Sequence, residues 1–132
     1  MHRSRIQVIL IDHPADTATP GCQFWARAVG QHPDATPSAS SEYTALGDLG
    51  NGIALVHQRI EDGEPRVHID IETDDVDAEV ARLERLGATR GDQMRGWWQM
   101  HDPAGLVFCV VPVQTDDFPA HTTEWPESYE AG

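Results

Sequence analysis

His68 and Asp70 stand two residues apart in the segment RVHIDIE, so an extended strand puts an imidazole and a carboxylate on one face. Such a pair suits either a metal ligand with a polar neighbour or a base held by a carboxylate. Transition metals want three or four protein ligands. His68 is the only candidate ligand here, so no metal is expected and a catalytic role rests on His68 alone. Cys109 shares a strand face with Val107 and Val111. A thiolate could bind zinc or iron or attack as a nucleophile, but apolar neighbours favour the neutral thiol, and buried cysteine packs as a small hydrophobe. In WWQMH, alternation puts Trp97, Gln99 and His101 on one face and Trp98 and Met100 on the other. The first face offers an aromatic wall and an amide to a flat or apolar ligand. Asp12, His13 and Asp16 cluster around Pro14 in what reads as a loop, and are taken as surface charge. Ser38, Ser40 and Ser41 lack a Gly-x-Ser-x-Gly setting. No phosphate loop or dinucleotide fingerprint is present.

These side chains need strands to hold them. IQVILID, residues 6–12, reads as a buried strand followed by a loop. Pro20-Gly21 leads into a helix over CQFWARAV that ends at Gly30, with Phe24 and Trp25 as core. Residues 31–41 read as a loop containing Pro33 and Pro37. A strand over 42–46, the hairpin signal Asn51-Gly52 and a strand IALVHQRI follow. Then the order restarts. In RVHIDIE, Val67, Ile69 and Ile71 point to the core and His68 and Asp70 point away from it. Asp75 and its neighbours can cap a helix carrying Val76, Val80 and Leu83, which Gly87 ends. Strands over 89–94 and 97–101, a turn at Asp102-Pro103-Ala104-Gly105 and a strand LVFCVVPV complete the pattern. Ile6, Gly30 and Gly52 recur as Val67, Gly87 and Gly105 at similar offsets, which points to a duplicated plan. The expected fold is α+β: two βαβββ units in tandem, about 5–61 and 66–113, forming a curved mixed sheet around a cleft with helices outside. Residues 1–113 make one domain, and 114–132 an acidic, extended tail.

The chain has 132 residues and a formal net charge of −13, with 22 Asp and Glu against nine arginines and no lysine. That balance excludes sequence-independent nucleic-acid binding and anionic membranes, and it suits a cationic ligand. No apolar run approaches a membrane span. Cys22 and Cys109 form no disulfide framework, so a reducing, cytoplasmic setting is expected.

HIDIETDDVDAEVARLERLGA followed by MHDPAGLVFCVV resembles the vicinal oxygen chelate superfamily, the glyoxalase, bleomycin-resistance and extradiol-dioxygenase group, and most closely its small glyoxalase-like domains. IQVILIDHPAD, QFWARAVG and NGIALVHQRI fit the first half more loosely. The resemblance implies a divalent metal held by a His on the first strand and a Glu on the last strand of each unit. Those positions fall near Gln7 and Val56 in the first half and on His68 and Cys109 in the second. Only His68 is a standard ligand, so the metal site is expected to be degraded.

Three functions follow. The first is a bleomycin-resistance-type protein binding a small organic molecule, cationic or aromatic, in the cleft. Gln7, Gln58, His68, Asp70, Trp97, Gln99 and Cys109 would be its contacts, with either His57 or Gln58 facing inward. The second is a divalent-metal-dependent lyase, isomerase or dioxygenase. The third is a non-catalytic dimeric interaction module in which the acidic tail docks on a partner or closes over the cleft. The resemblance also implies a homodimer.

Overall fold

A computed structural model describes residues 1–31 and 42–126. The chain is α+β, with ten elements in the order β1 (His2–Pro14), α1 (Ala18–Ala28), β2 (Tyr43–Asp48), β3 (Ala54–Ile60), β4 (Arg66–Thr73), α2 (Val76–Arg85), β5 (Thr89–Met94), β6 (Trp97–His101), β7 (Val107–Pro112) and β8 (Thr123–Trp125). The strand–helix–strands order therefore occurs twice, first as β1–α1–β2–β3 and then as β4–α2–β5–β6–β7. No helix is long and apolar enough to cross a membrane.

The chain divides into two compact units. One is Val8–His68. Its β1 residues pair in parallel with β3, and β3 pairs antiparallel with β2. Asn51 and Gly52, both at positive φ, form the β2–β3 turn as their sequence predicts. Helix α1 packs against Ile11, Leu46 and Leu55 through Cys22 and Ala26.

The expectation that Phe24 and Trp25 fill this core is wrong: they are 63% and 38% exposed. The buried stripe of α1 is Ala18, Cys22 and Ala26, one residue every four positions. Those small side chains hold the helix close to the strands and turn the aromatic pair outward. The helix also begins earlier than expected, so Pro20 and Gly21 lie within it. Of the expected loop at 31–41, residues 32–41 lie outside the described residues.

The other unit is Met1–Gln7 with Ile69–Gly132. Here β4 pairs in parallel with β7, β7 antiparallel with β6, and β6 antiparallel with β5. Helix α2 is capped by Asp75, whose carboxylate accepts from the Ala78 amide at 3.0 Å. Its Val80 packs on Met100, Phe108 and Val110, with Ile71, Leu83 and Trp98 around them. In the 102–105 turn, the Gly105 amide bonds the Asp102 carbonyl, while the Asp102 carboxylate accepts from the amides of Ala104 and Leu106.

Residues 114–126 are part of this unit. Its β8 pairs antiparallel with His2–Ser4 of β1. Trp125 donates its indole N–H to Ser4 Oγ at 2.9 Å and lies under the Arg82 guanidinium, 3.7 Å from the ring centre. Arg82 also makes a bidentate pair with Glu79, which His2 contacts as well. Burial would push the Glu79 carboxyl up, but Arg82, His2 and Ser4 outweigh it and hold it below its ordinary value. Arg5 is bonded by Glu72 at 2.7 Å, by Thr115 and Asp117 at 2.6 Å, and by the Ala120 carbonyl. A buried guanidinium and a buried carboxylate thus fix the segment from Gln114 to Ala120.

Candidate functional site

The sequence pattern ends the first strand at Asp12 and places that residue on the surface. In the structure β1 runs to Pro14, and Asp12 is fully buried. The register pairs Asp12 with Gln58 and Ile11 with His57. Ile11 packs against α1, so His57 shares the helix-covered side, while Asp12 and Gln58 share the opposite side. That settles the strand parity left open at 57 and 58. Gln58 donates to the Tyr43 hydroxyl at 3.3 Å.

Asp12 Oδ2 lies 2.7 Å from His68 Nδ1 and 3.0 Å from Arg66 Nε. Arg66 stays half-exposed while His68 is buried. The imidazole and the guanidinium thus meet on one oxygen of a single buried carboxylate. The carboxylate partner of His68 in this unit is therefore Asp12, from another strand. The sequence carried one signal of this: alternation from Leu10 puts Asp12 on the side away from α1.

On that covered side, His57 Nε2 lies 2.9 Å from His13 Nδ1. The ring centres are 5.1 Å apart and the planes 21° from parallel, so the rings meet end to end and share one hydrogen. Burial and then His13 press the His57 pKa below its ordinary value, with Asp12 opposing them. His57 is thus a neutral, buried imidazole of the helix-packed side.

In the other unit, the register sets Asp70 opposite Cys109 and Cys109 opposite Gln99. The flanking residues Ile71, Val110, Phe108, Met100 and Trp98 all face α2. Asp70, Cys109 and Gln99 therefore form one row across β4, β7 and β6 on the helix-free side, and Trp97 alternates to the same side as Gln99. Trp97, Gln99 and Asp70 are half-buried, and Cys109 is buried. Gln7, in the same unit, is buried, with no hydrogen-bond partner for Oε1 among the described residues. Val67 is 53% exposed, which corrects its core assignment: the β4–β7 ladder starts only at Ile69.

His68 and Asp70 stand at alternate positions of β4 and Cys109 stands on β7, and each of these side chains can ligate a metal. The four positions at which the resemblance implies ligands fit a divalent metal poorly. Val56 has no donor atom, Gln7 offers only an amide, and Cys109 lies between Val107 and Val111.

The family model for the glyoxalase-like domain matches residues 8–111. The chain belongs to the glyoxalase-like domain family. This family is part of the vicinal oxygen chelate group. No curated protein matches the sequence. Among solved structures, one titled as an NAD-dependent benzaldehyde dehydrogenase from Legionella pneumophila superposes with a TM-score of 0.57 at 10% identity, covering 81% of this chain and 98% of the other. A hypothetical protein, BH1468 from Bacillus halodurans C-125, gives 0.57 at 11% identity over 86% and 96%. At such identities the likeness is one of fold alone.

Proposed function

We propose that this glyoxalase-like protein binds a small organic molecule, cationic or aromatic, on the helix-free faces of its strands, in the manner of the bleomycin-resistance branch. The Asp70–Cys109–Gln99 row carries the reading. A carboxylate, a small apolar contact and an amide beside the indole of Trp97 combine charge, dispersion and hydrogen bonding for one ligand. The net charge of −13 favours a cation over an anion. Within the Val8–His68 unit, Gln58 and the Asp12–His68 pair offer polar groups of their own. The protein acts as a homodimer in a reducing compartment such as the cytoplasm, where Cys22 and Cys109 stay thiols.

Mass spectrometry of small molecules released from native protein, purified without a metal-affinity tag, tests the reading. The expected result is an organic molecule that is lost in Asp70→Leu and in Gln99→Ala. Protein that never retains one, and that binds no cationic or aromatic fragment at millimolar concentration, contradicts it.

One observation favours a second reading, a divalent-metal-dependent lyase, isomerase or dioxygenase. A carboxylate behind a histidine, as Asp12 is behind His68, is the arrangement that orients a metal-ligating imidazole. Metal analysis of the same preparation separates the two. Stoichiometric zinc, iron or manganese that disappears in His68→Ala supports the metalloenzyme.

A further inference from the structure

We propose that Asp12 is the positioning residue for His68: it fixes the imidazole in the tautomer protonated at Nδ1, and Arg66 locks the carboxylate in the orientation that does so. This role belongs to the binding function proposed above, in which His68 is a contact residue, but the tautomer can be measured with no ligand present.

All three residues lie in the Val8–His68 unit, Asp12 on β1 and the other two on β4. Asp12 has no exposed surface, so water does not compete for its oxygens. Both donors converge on Oδ2, His68 Nδ1 at 2.7 Å and Arg66 Nε at 3.0 Å. Oδ1 is buried and has no hydrogen-bond partner among the described residues. Nothing else on the carboxylate therefore decides which way it turns, and the two donors on one oxygen do. Because an ionised carboxylate only accepts, the shared proton belongs to His68 Nδ1, and Nε2 becomes the acceptor nitrogen of the neutral ring. Arg66 gives the arrangement its direction. With the guanidinium N–H aimed at the same oxygen, an N–H group placed there would face two donors.

That last point separates a tautomer-setting role from simple packing. In Asp12→Asn the amide oxygen must take the Oδ2 position, because the amide NH₂ would face both Arg66 and His68. The Nδ1–H tautomer is therefore retained. In Asp12→Asn combined with Arg66→Met the amide can turn and donate to Nδ1, and the tautomer reverses, as a carboxylate-to-amide exchange does in serine-protease triads. In Asp12→Val the acceptor is gone and the Nδ1–H preference is lost.

The experiment is side-chain ¹⁵N NMR of the histidines in the full chain, above the imidazole titration range, with His68 assigned by His68→Gln. The expected pattern for His68 is Nδ1–H in the wild type and in Asp12→Asn, reversal in the Asp12→Asn/Arg66→Met double variant, and loss of the preference in Asp12→Val. An Nε2–H wild type, an unchanged tautomer in folded Asp12→Val, or reversal in Asp12→Asn alone would overturn the proposal. If Asp12→Val does not fold, the wild-type and Asp12→Asn spectra still decide. Failure to bind any fragment leaves these spectra unchanged, so the binding reading and the tautomer proposal fail separately.

Discussion

The ring of His13 occupies the space that a side chain on Gly21 would need: a Cβ built there falls 2.5 Å from Nδ1 and 2.6 Å from Cε1. Alanine is favoured over glycine inside a helix by about 1 kcal/mol. Here the clash with a ring held by His57 reverses the sign, since overpacking costs about 1–3 kcal/mol. Gly21→Ala is expected to lower the melting temperature of the wild type and to raise it in a His13→Ala background. A gain in both backgrounds would show that His13 moves aside without cost.

His57 should make the protein sensitive to mild acid. Its folded pKa is depressed, by burial first and His13 second, so the folded chain binds fewer protons than the unfolded chain just below pH ~6.5. Its contribution is complete above that value and is lost as pH falls toward the depressed folded pKa. Urea midpoints measured from pH 7.5 to 5.5 should fall more steeply for the wild type than for His57→Phe. Parallel curves would remove His57 from the account.

The segment after Val113 should be indispensable to its unit. Ending the chain there removes Thr115, Asp117 and Ala120 from the buried Arg5 and Trp125 from Arg82. Leaving a buried charge short of partners costs about 3–5 kcal/mol, whereas Trp125→Ala alone should cost about 2 kcal/mol. Thermal unfolding of the two variants checks that order. A truncated chain as stable as the full one would contradict it.

Cys109 is expected to pack rather than to ligate. Cys109→Ser should lower stability by about 1–3 kcal/mol, because a hydroxyl replaces a thiol between Val107 and Val111. Affinity for a bound fragment should change less than about threefold, a fraction of the 1.4 kcal/mol that a tenfold change represents. Isothermal titration measures the affinity. Loss of a stoichiometric metal together with the sulfur would point to ligation instead.

Much of the fold was legible because alternation and helical spacing agree with burial. WWQMH and LVFCVVPV fall on strands with the expected faces, so Trp98 and Met100 lie under α2 while Gln99 and Cys109 face away from it; RVHIDIE is a strand as expected, but Val67 lies before the β4–β7 ladder and is exposed. The failures have two physical origins: pattern reading weighs hydrophobic size before local geometry, and it does not see long-range pairing. Phe24 and Trp25 looked like core, but Ala18, Cys22 and Ala26 set the helix approach. Asp12 looked like surface charge beside a proline, but the parallel ladder with β3 carries the strand through His13 and Pro14 and buries the carboxylate. Its partners Arg66 and His68 lie more than fifty residues away in sequence. No local pattern shows pairing at that range.

The most direct test of the proposed function is amide ¹H–¹⁵N NMR of the assigned protein, titrated with a set of small cationic and aromatic fragments. Fragment-induced shifts should concentrate on Asp70, Trp97, Gln99 and Cys109, and should be abolished by Asp70→Leu together with Gln99→Ala. Shifts confined to α1 and α2, or no shifts at millimolar fragment, would contradict the assignment of a small-molecule site to the helix-free faces.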